Sequence, residues 1–314
     1  MYYKSILNYL RIFKIFCLFL ILFFTGSCKK EELKPKRKIL FDSKNAMKLL
    51  VKQVEIGPRP SNSENLKKTA DWIAQKCRDY GFSTEMDSWK KKTPSGTKTF
   101  HNVIARLVGD DDRRIILGAH FDTKVLREYP FFLGANDAAS GVAVILEIMR
   151  VLGQFNDWHG ASVDFCFFDG EECFNNYSDN DGLHGSRRYA KKLQNAHYIE
   201  KYIAVIILDM IADKQLTVTL PMDTDKNLAS QLFEIAREQK VKHCFSFLTG
   251  KRIIDDHTPF QRLGIPSIDI IDFQFGPGNM HWHTAGDNLS NVSEKSLEII
   301  GRVTYKLIMD LAKE

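Results

Sequence analysis

The chain has 314 residues, of which 44% are hydrophobic and 26% charged, and this is the composition of an ordinary globular protein. The formal net charge is +5, and it falls to +2 for residues 28–314 because the first 27 residues carry three basic side chains and no acidic one. A charge this small gives no basis for nucleic-acid binding, so we exclude that class of partner.

The first 27 residues have the features of an export signal. Lys4, Arg11 and Lys14 precede an apolar block at residues 15–24, and small residues follow just before Cys28. The apolar block is well short of the roughly 20 residues that a bilayer-spanning helix requires. Residues 1–27 are therefore predicted to be a cleaved signal peptide and not a spanning helix.

The cleavage region resembles a bacterial lipobox, in which a cysteine is lipidated and becomes the mature N-terminus. Cys28 occupies that cysteine position, but Thr25 stands where a leucine is usual, so an ordinary cleaved signal stays open. Residues 28–38 are rich in lysine and contain Pro35, which is typical of a tether. We expect an exported outer-membrane lipoprotein, anchored through lipid on Cys28 and facing either the periplasm or the cell surface.

Residues 39–314 contain no linker, repeat or low-complexity segment, which predicts one large α/β domain. Helix signals fall at residues 63–80, 138–152, 185–194, 227–239 and 293–311. Strand signals fall at residues 101–107, 114–119, 163–168, 203–208 and 267–271. Residues 57–60 and the lysines at 90–92 are expected to lie in turns. Alternating strands and helices predict a central mixed, mostly parallel β-sheet covered by helices on both faces.

Polar side chains directly follow three of the predicted strands. His120 follows the strand at 114–119, the run Asp-Gly-Glu-Glu at 169–172 follows the strand at 163–168, and Asp209 follows the strand at 203–208. In open α/β sheets, ligands bind at the carboxyl ends of the strands. The adjacent carboxylates of Glu171 and Glu172 are costly to hold together unless one is neutralised or binds a cation. We therefore expect one glutamate to ligate a metal and the other to carry protons.

Five residues with metal-ligand chemistry lie at strand ends or in the loops beside them: His120, Asp137, Glu172, Asp209 and His283. Imidazoles and carboxylates without thiolates suit zinc in a catalytic site with an open position. Each residue alone has a simpler interpretation as a cap or loop residue, and Asp137 could cap the helix predicted at 138–152. The agreement of all five with one sheet edge favours the metal site.

Four cysteines remain after the export region, at positions 77, 166, 173 and 244. Their spacing fits no zinc-finger pattern. Cys166 lies inside a predicted buried strand and is expected to be a small apolar filler. An oxidising compartment permits a disulfide among the four, but their spacing does not define a pairing.

Several segments resemble the zinc aminopeptidase superfamily. They are residues 119–123 (AHFDT), 134–141 (GANDAASG), 169–172 (DGEE), 208–210 (LDM) and 283–284 (HT). The glutaminyl cyclase branch of that superfamily is the better match, over nearly the whole chain from Gly57 onward. In that branch, as here, an insertion at 173–182 follows the paired glutamates, an extra aspartate stands at Asp255, and Trp282 precedes the histidine.

The resemblance implies a zinc aminopeptidase-like α/β fold that converts the N-terminal glutamine of peptides or proteins to pyroglutamate and releases ammonia. It implies one zinc ion, held by Asp137, Glu172 and His283. Glu171 is implied as the catalytic acid and base, with Asp209 and Asp255 as catalytic carboxylates in a hydrogen-bond network.

The resemblance also implies that Trp282 lines the substrate pocket. Tyr177 stands where animal cyclases place a second active-site tryptophan. Since a tyrosine still forms an aromatic wall, we interpret this departure as an altered substrate contact with activity retained.

Two other functions compete with the cyclase. A two-zinc aminopeptidase would use His120 and Asp209 as the additional ligands, and counting the metals distinguishes it from a cyclase. A non-catalytic surface lipoprotein that binds peptide termini is the third hypothesis, and the complete carboxylate and imidazole set argues against it. We expect a monomer in each case.

Overall fold

The computed structural model describes residues 40–155, 157–249 and 252–313. The predicted signal peptide, the lipid anchor on Cys28 and the tether at 28–38 lie outside these residues. The compact unit described below begins at Leu40.

The described residues contain eight strands, and six of them form the central sheet. The strands are β1 (Ser83–Thr93), β2 (Gly96–Leu107), β3 (Arg114–His120), β4 (Ser162–Phe168), β5 (Tyr202–Asp209), β6 (Val218–Leu220), β7 (Phe245–Phe247) and β8 (Ser267–Ile271). The order across the central sheet is β1-β2-β4-β3-β5-β8, and β6 pairs with β7 in a separate two-stranded sheet. Pairing is parallel from β4 through β3 and β5 to β8, whereas β1 and β2 pair antiparallel, so the predicted mixed sheet is confirmed.

The parallel strands are buried on both faces, which is why their sequences are nearly continuous apolar runs. Every residue of β4 and β8 is buried, and in β3 and β5 only one residue each is not. The predicted strand at 267–271 matches β8, and the predictions at 114–119, 163–168 and 203–208 each fall short of β3, β4 and β5 by one or two residues.

The strands β1 and β2 form a long antiparallel ribbon at one edge of the sheet. In β1, residues with low exposure alternate with exposed ones, and the lysines at 90–92 belong to this strand. The expectation of a turn at 90–92 is therefore wrong. Lysines on an edge strand are a common way to prevent pairing with other chains. Because these lysines are polar, β1 contains no apolar run that would predict a strand.

Seven α-helices occur in the described part of the chain: α1 (Ser43–Ile56), α2 (Glu64–Asp79), α3 (Ala139–Leu152), α4 (His184–Asn195), α5 (Lys226–Glu238), α6 (Thr258–Gln261) and α7 (Glu294–Leu311). One hydrophobic cluster joins one face of the sheet to α1, α2, α3, α5 and α7. A second cluster joins the opposite face to α4 and to Phe260 of α6. Helices therefore cover both faces, as predicted, although α1 and the short α6 were not anticipated.

The helix α3 lies in the middle of the larger layer and is apolar around nearly its whole circumference, as a fully buried helix is. Gly141 allows this close packing, because a Cβ at that position would lie 2.3 Å from the carbonyl oxygen of Leu208 in β5. The helix therefore presses its first turn against the strand that ends in Asp209.

The described cysteines Cys77, Cys166, Cys173 and Cys244 are all buried and unpaired, so none of them forms a disulfide with another. Cys166 is fully buried in β4, as expected for an apolar filler. None of the helices in the described residues is both long and apolar enough to cross a bilayer.

Candidate active site

A cavity of about 260 Å³ opens at the carboxyl ends of the parallel strands. Its walls combine a polar floor with sides that are apolar except for Arg252 and the Tyr177 hydroxyl. The floor residues are Asp137, Glu171, Glu172, Asp209, Asp255 and His283. The sides are formed by Tyr177, Met210, Leu248, Arg252, Ile253, Ile254, Ile271, Phe273 and Trp282.

The two adjacent glutamates are presented by a tight turn at the end of β4. Gly170 has a φ of 76°, and a Cβ there would lie 2.5 Å from the ring of Phe100, so this turn requires glycine. The carboxylate of Asp122 accepts hydrogen bonds from the backbone N–H of Glu171 (3.1 Å) and of Glu172 (3.3 Å). These bonds fix the backbone of both glutamates and direct their side chains into the cavity.

Asp137 is held from beneath by a second carboxylate. Asp287 accepts hydrogen bonds from the backbone N–H of Asn136 (2.7 Å) and of Asp137 (3.0 Å). Burial raises the pKa of Asp287 to about 8, although the two N–H groups act in the opposite direction. The interpretation of Asp137 as a simple helix cap is wrong, because α3 begins at Ala139 and no side chain caps it.

Arg59 is a fully buried cation that organises the same loop. Its guanidinium donates to the carbonyls of Leu133 (2.9 Å) and Gly134 (3.0 Å), and also to those of Gln53, Gly57 and Phe121. Burial lowers the pKa of Arg59 to about 10, and the nearby Asp287, Asp122 and Asp137 oppose that shift. Residues 57–60 were expected to form only a turn, whereas Arg59 fixes the segment that carries Asp137.

Two groups of potential metal ligands share Asp137. The first is Asp137, Glu172 and His283, in which Nε2 of His283 lies 3.2 Å from Oε1 of Glu172 and 3.3 Å from Oδ2 of Asp137. The second is His120, Asp137 and Asp209, in which Nε2 of His120 lies 3.2 Å from both carboxylates. Carboxylate and imidazole donors that converge in a buried pocket are the donor set that catalytic zinc uses, so these residues fit a zinc ion.

The electrostatics of these groups reflect the excess of carboxylates. Burial disfavours the charged imidazole of His283, but Glu172 and Asp137 raise its pKa to about 10. Burial likewise opposes charge on His120, whose pKa is nevertheless raised well above its usual value by Asp122, Asp137 and Asp209. Clustered negative charge of this kind is what a bound cation neutralises.

Glu171 lies beside the first ligand group and is held by Tyr177. The Tyr177 hydroxyl donates to Oε1 of Glu171 over 2.8 Å. Burial raises the pKa of Glu171 well above its usual value, Asp255 and Glu172 act in the same direction, and His120 opposes them. A carboxyl group whose pKa is raised by burial, inside a pocket, is suited to proton transfer near neutral pH.

A buried acidic cluster includes Asp255 of the cavity floor. The side chains of Asp255, Asp256 and Asp269 are at most 2% exposed. Burial raises the pKa of Asp209 to about 7, opposed by His120 and supported by Asp255 and Asp137. The Asp255 carboxylate thus makes ionisation of Asp209 less favourable, so the two side chains are close enough to interact electrostatically.

Aromatic rings form one side of the cavity. The indole of Trp282 stacks on the imidazole of His283, with ring centroids 4.2 Å apart, and Phe273 packs against Trp282 at 5.2 Å. This stacking orients His283 toward the ligand group. It also gives the pocket a flat apolar wall.

The structure brings all of the predicted site residues together. Those predicted for catalysis, metal binding and substrate contact line the cavity, and His120 lies beneath it in contact with Asp137 and Asp209. No role was predicted for four residues that support the site: Arg59, Asp122, Lys124 and Asp287. Lys124 lies 3.1 Å from Oε2 of Glu172 and 3.3 Å from Sγ of Cys173. Asp122 had a usable signal, because it follows His120 by two residues at a strand end.

The fold and the site define a metal-dependent hydrolase-like protein of the zinc exopeptidase type. Residues 102–308 match the sequence profile of peptidase family M28. The chain belongs to peptidase family M28 and, within it, to the glutaminyl cyclases.

Individual relatives support this placement. The chain is 27% identical to the glutaminyl-peptide cyclotransferase of Dictyostelium discoideum, over 78% of this chain and 79% of the relative. It is 30% identical to the solved glutaminyl cyclase of Porphyromonas gingivalis, with a TM-score of 0.77 over 86% of this chain and 98% of that one. A solved Zn-dependent exopeptidase from Parabacteroides distasonis is 26% identical, with a TM-score of 0.75 over 86% of this chain and 98% of that one.

Proposed function

We propose that the protein is a zinc-dependent glutaminyl-peptide cyclotransferase that acts on peptides or proteins with an N-terminal glutamine. The observation that carries this proposal is the insertion at residues 173–182. It brings the Tyr177 hydroxyl to 2.8 Å from Glu171, and Tyr177 lines the cavity together with Trp282 and Asp255. The result is a small, largely apolar pocket, which suits a reaction in which no water takes part.

The reaction joins two parts of one residue. The α-amine of glutamine attacks its own γ-carbonyl carbon, a C–N bond forms, and the bond to the side-chain nitrogen breaks. Because nucleophile and electrophile belong to the same residue, a pocket that folds the side chain back supplies much of the rate by proximity. The products are a pyroglutamyl peptide and ammonia.

Asp137, Glu172 and His283 would hold the zinc ion in this proposal, at one ion per chain. When bound, zinc supplies a Lewis acid that polarises the γ-amide carbonyl and stabilises negative charge on its oxygen. Lys124 contacts the second oxygen of Glu172 and limits how that carboxylate can turn. His120 would remain a hydrogen-bonding partner of Asp209 and not a ligand.

Glu171 would move the proton. Its carboxylate accepts the proton that the attacking α-amine loses and delivers it to the departing side-chain nitrogen, which leaves as ammonia. Tyr177 holds Oε1 of Glu171 by its hydrogen bond, so the other oxygen is available to the substrate. Asp209 and Asp255 would hold the α-amine in place through their shared hydrogen-bond network, and Trp282 would stack against the glutamine side chain.

The ammonia-release assay on a glutaminyl dipeptide tests this function. We expect zinc-loaded protein to release ammonia, a chelator to abolish the release, and added zinc to restore it. An aminopeptidase substrate run alongside should stay intact. Protein that removes N-terminal residues and leaves glutaminyl peptides uncyclised would contradict the proposal.

A two-zinc aminopeptidase is the second candidate function. It is favoured by the presence of His120 and Asp209 in contact with Asp137, which completes a five-residue ligand set. In that case Glu171 would activate a water molecule for hydrolysis. Metal analysis of the purified protein separates the two, because the cyclase predicts one tightly held zinc and the aminopeptidase two.

For the cellular context, we propose export and attachment to the outer membrane through a lipid on Cys28, with the enzyme acting as a monomer. The proposal rests on the signal-like residues 1–27 and the small residues before Cys28. Mass spectrometry of the N-terminal peptide from membranes tests it. A lipid-modified Cys28 is expected, and an unmodified N-terminus in the soluble fraction would contradict it.

A further inference from the structure

The cavity has an uneven distribution of charge. Its floor carries five carboxylates, from Asp137, Glu171, Glu172, Asp209 and Asp255, each at most 9% exposed. Among the described residues that line it, Arg252 is the one lysine or arginine. Its side chain is exposed, whereas the carboxylates are buried, so the cation lies at the mouth and the anions lie at the floor.

Arg252 makes no ion pair with any residue in the described part of the chain, so its charge is free to contact a substrate. Its neighbours at the mouth are apolar, namely Ile253, Ile254 and Leu248. Ile254 is 46% exposed, which leaves an apolar surface beside the guanidinium. An arginine beside apolar surface is less well hydrated than one in open solvent, and its forked geometry matches a carboxylate.

A peptide that enters this cavity has its own charge order. Its α-ammonium group and its glutamine side chain must reach the floor, where Glu171 and the ligand group lie. The residue that follows the glutamine then lies nearer the mouth, where Arg252 is. A peptide with a positive N-terminus followed by a negative side chain would match the pocket from floor to mouth.

Building on the proposed function, we propose that Arg252 makes the enzyme selective for glutaminyl peptides whose second residue carries a carboxylate. Arg252 binds that carboxylate at the mouth while the glutamine occupies the floor. A lysine at the second position is repelled by the same guanidinium. Arg252 is thus a specificity-determining residue and takes no part in bond making.

The effect should be moderate, because the pair is solvent-exposed. Exposed ion pairs correspond to changes of up to about fivefold in an equilibrium or rate ratio. We expect kcat/KM for a second-position glutamate to exceed that for glutamine by about threefold. The ratio of glutamate to lysine should be about tenfold at low ionic strength. Both ratios should shrink in high salt, because screening reduces the attraction between exposed charges.

The test uses zinc-loaded protein and three tripeptide amides that differ only at the second position, Gln-Glu-Ala, Gln-Gln-Ala and Gln-Lys-Ala. Ammonia release gives kcat/KM for each. Arg252→Gln should bring the three values together, and Arg252→Glu should reverse the order so that the lysine peptide is preferred. Arg237 lies on α5, outside the cavity. Arg237→Glu changes the net charge by the same amount as Arg252→Glu and should keep the wild-type order of kcat/KM.

The proposal would be overturned if the kcat/KM ratios between the three peptides were the same in the wild type and in Arg252→Gln. It would also be overturned if Arg237→Glu lost the preference for the glutamate peptide. Calorimetric binding of the same peptides to Glu171→Gln protein, with and without Arg252→Gln, gives the preference without turnover. If the wild type releases no ammonia from any peptide, the proposed function fails. The affinities of the three peptides then test the role of Arg252 separately. Tighter binding of the glutamate peptide that is lost in Arg252→Gln supports the proposed selectivity, and equal affinities contradict it.

Discussion

Glu171 and Glu172 are neighbours in the chain, and their side chains have different surroundings. Glu172 lies 3.2 Å from His283 and 3.1 Å from Lys124, so two nitrogen donors contact its side chain. Glu171 has the Tyr177 hydroxyl as its partner, and burial raises its pKa. The pair can therefore divide metal binding from proton transfer, although both residues come from one turn.

Removal of the proton carrier should separate these two roles. Glu171→Gln keeps the shape of the side chain and cannot accept a proton, so kcat should fall by about 100-fold to 10,000-fold while the zinc content stays normal. Steady-state kinetics and metal analysis check this expectation. Glu172→Gln is the matched control, and it should lose zinc. A Glu171→Gln variant with wild-type kcat would exclude Glu171 as the acid and base.

The Tyr177 hydroxyl should matter through Glu171 alone. Tyr177→Phe keeps the ring and removes the 2.8 Å hydrogen bond, so kcat/KM should fall by about tenfold, the size expected for a hydrogen bond to a charged group. Tyr177→Trp also lacks the hydroxyl while it keeps an aromatic wall, so its kcat/KM should fall by a similar factor. Undiminished kcat/KM in Tyr177→Phe would show that the bond does not position Glu171.

At the scale of elements, the loop that ends in Asp137 depends on residues distant in sequence. Arg59 precedes α2 and reaches the carbonyls of residues 62 and 75 positions further along the chain. Asp287, from the loop before α7, holds the backbone of Asp137 itself. The ligand geometry is thus set by segments that meet only in the folded chain.

Replacement of Arg59 should affect both stability and metal binding. Arg59→Met leaves several carbonyls without a donor in a buried place, so we expect a loss of about 2–4 kcal/mol in the free energy of unfolding. Zinc affinity should also fall, because the segment before Asp137 loosens. Urea unfolding and chelator competition measure these effects. Arg302→Met, on the exposed side of α7, is the control and should cost less than about 1 kcal/mol.

The first residue of α4 should make stability sensitive to acid. His184 is buried against Phe100, and neither of its ring nitrogens has a hydrogen-bond partner among the described residues. Burial lowers its pKa from 6.5 to about 4, with Lys91 acting in the same direction. The unfolded chain therefore binds the proton more readily than the folded chain, and stability is lost as pH falls from 6.5 to about 4.

Thermal unfolding of His184→Leu across that range checks the expectation. The melting temperature of the wild type should fall more steeply between pH 7 and pH 4 than that of the variant. His243→Gln changes an exposed histidine and should follow the wild type. Parallel curves for the wild type and His184→Leu would show that His184 does not contribute.

At the scale of the whole molecule, the buried half of the sheet was predictable, whereas only residues 101–107 of the ribbon at its edge, in β2, were predicted. The strands β3, β4, β5 and β8 are apolar throughout because both faces are covered, so their sequences reveal them. The strand β1 has one face in solvent and carries three successive lysines, which gives no apolar run to detect. Helix α1 was also missed, although Asp42 caps its first turn and its buried residues recur at helical spacing.

The residues of the site also fall into a group that was predictable from the sequence and a group that was not. Residues that act directly in the pocket follow strands or lie in recognisable segments, so the sequence predicted Glu171, Glu172 and His283. Residues that support them act through backbone atoms of other segments. Arg59 and Asp287 therefore gave no local signal, and only the folded arrangement reveals what they hold.

A glutaminyl cyclase cyclises the N-terminal glutamine of a peptide, whereas an aminopeptidase removes it. Mass spectrometry of one glutaminyl peptide, incubated with the zinc-loaded protein, distinguishes the two activities most directly. We expect a product that keeps every residue and has lost one ammonia. A product that lacks its N-terminal glutamine residue would contradict the cyclase and support the two-zinc aminopeptidase.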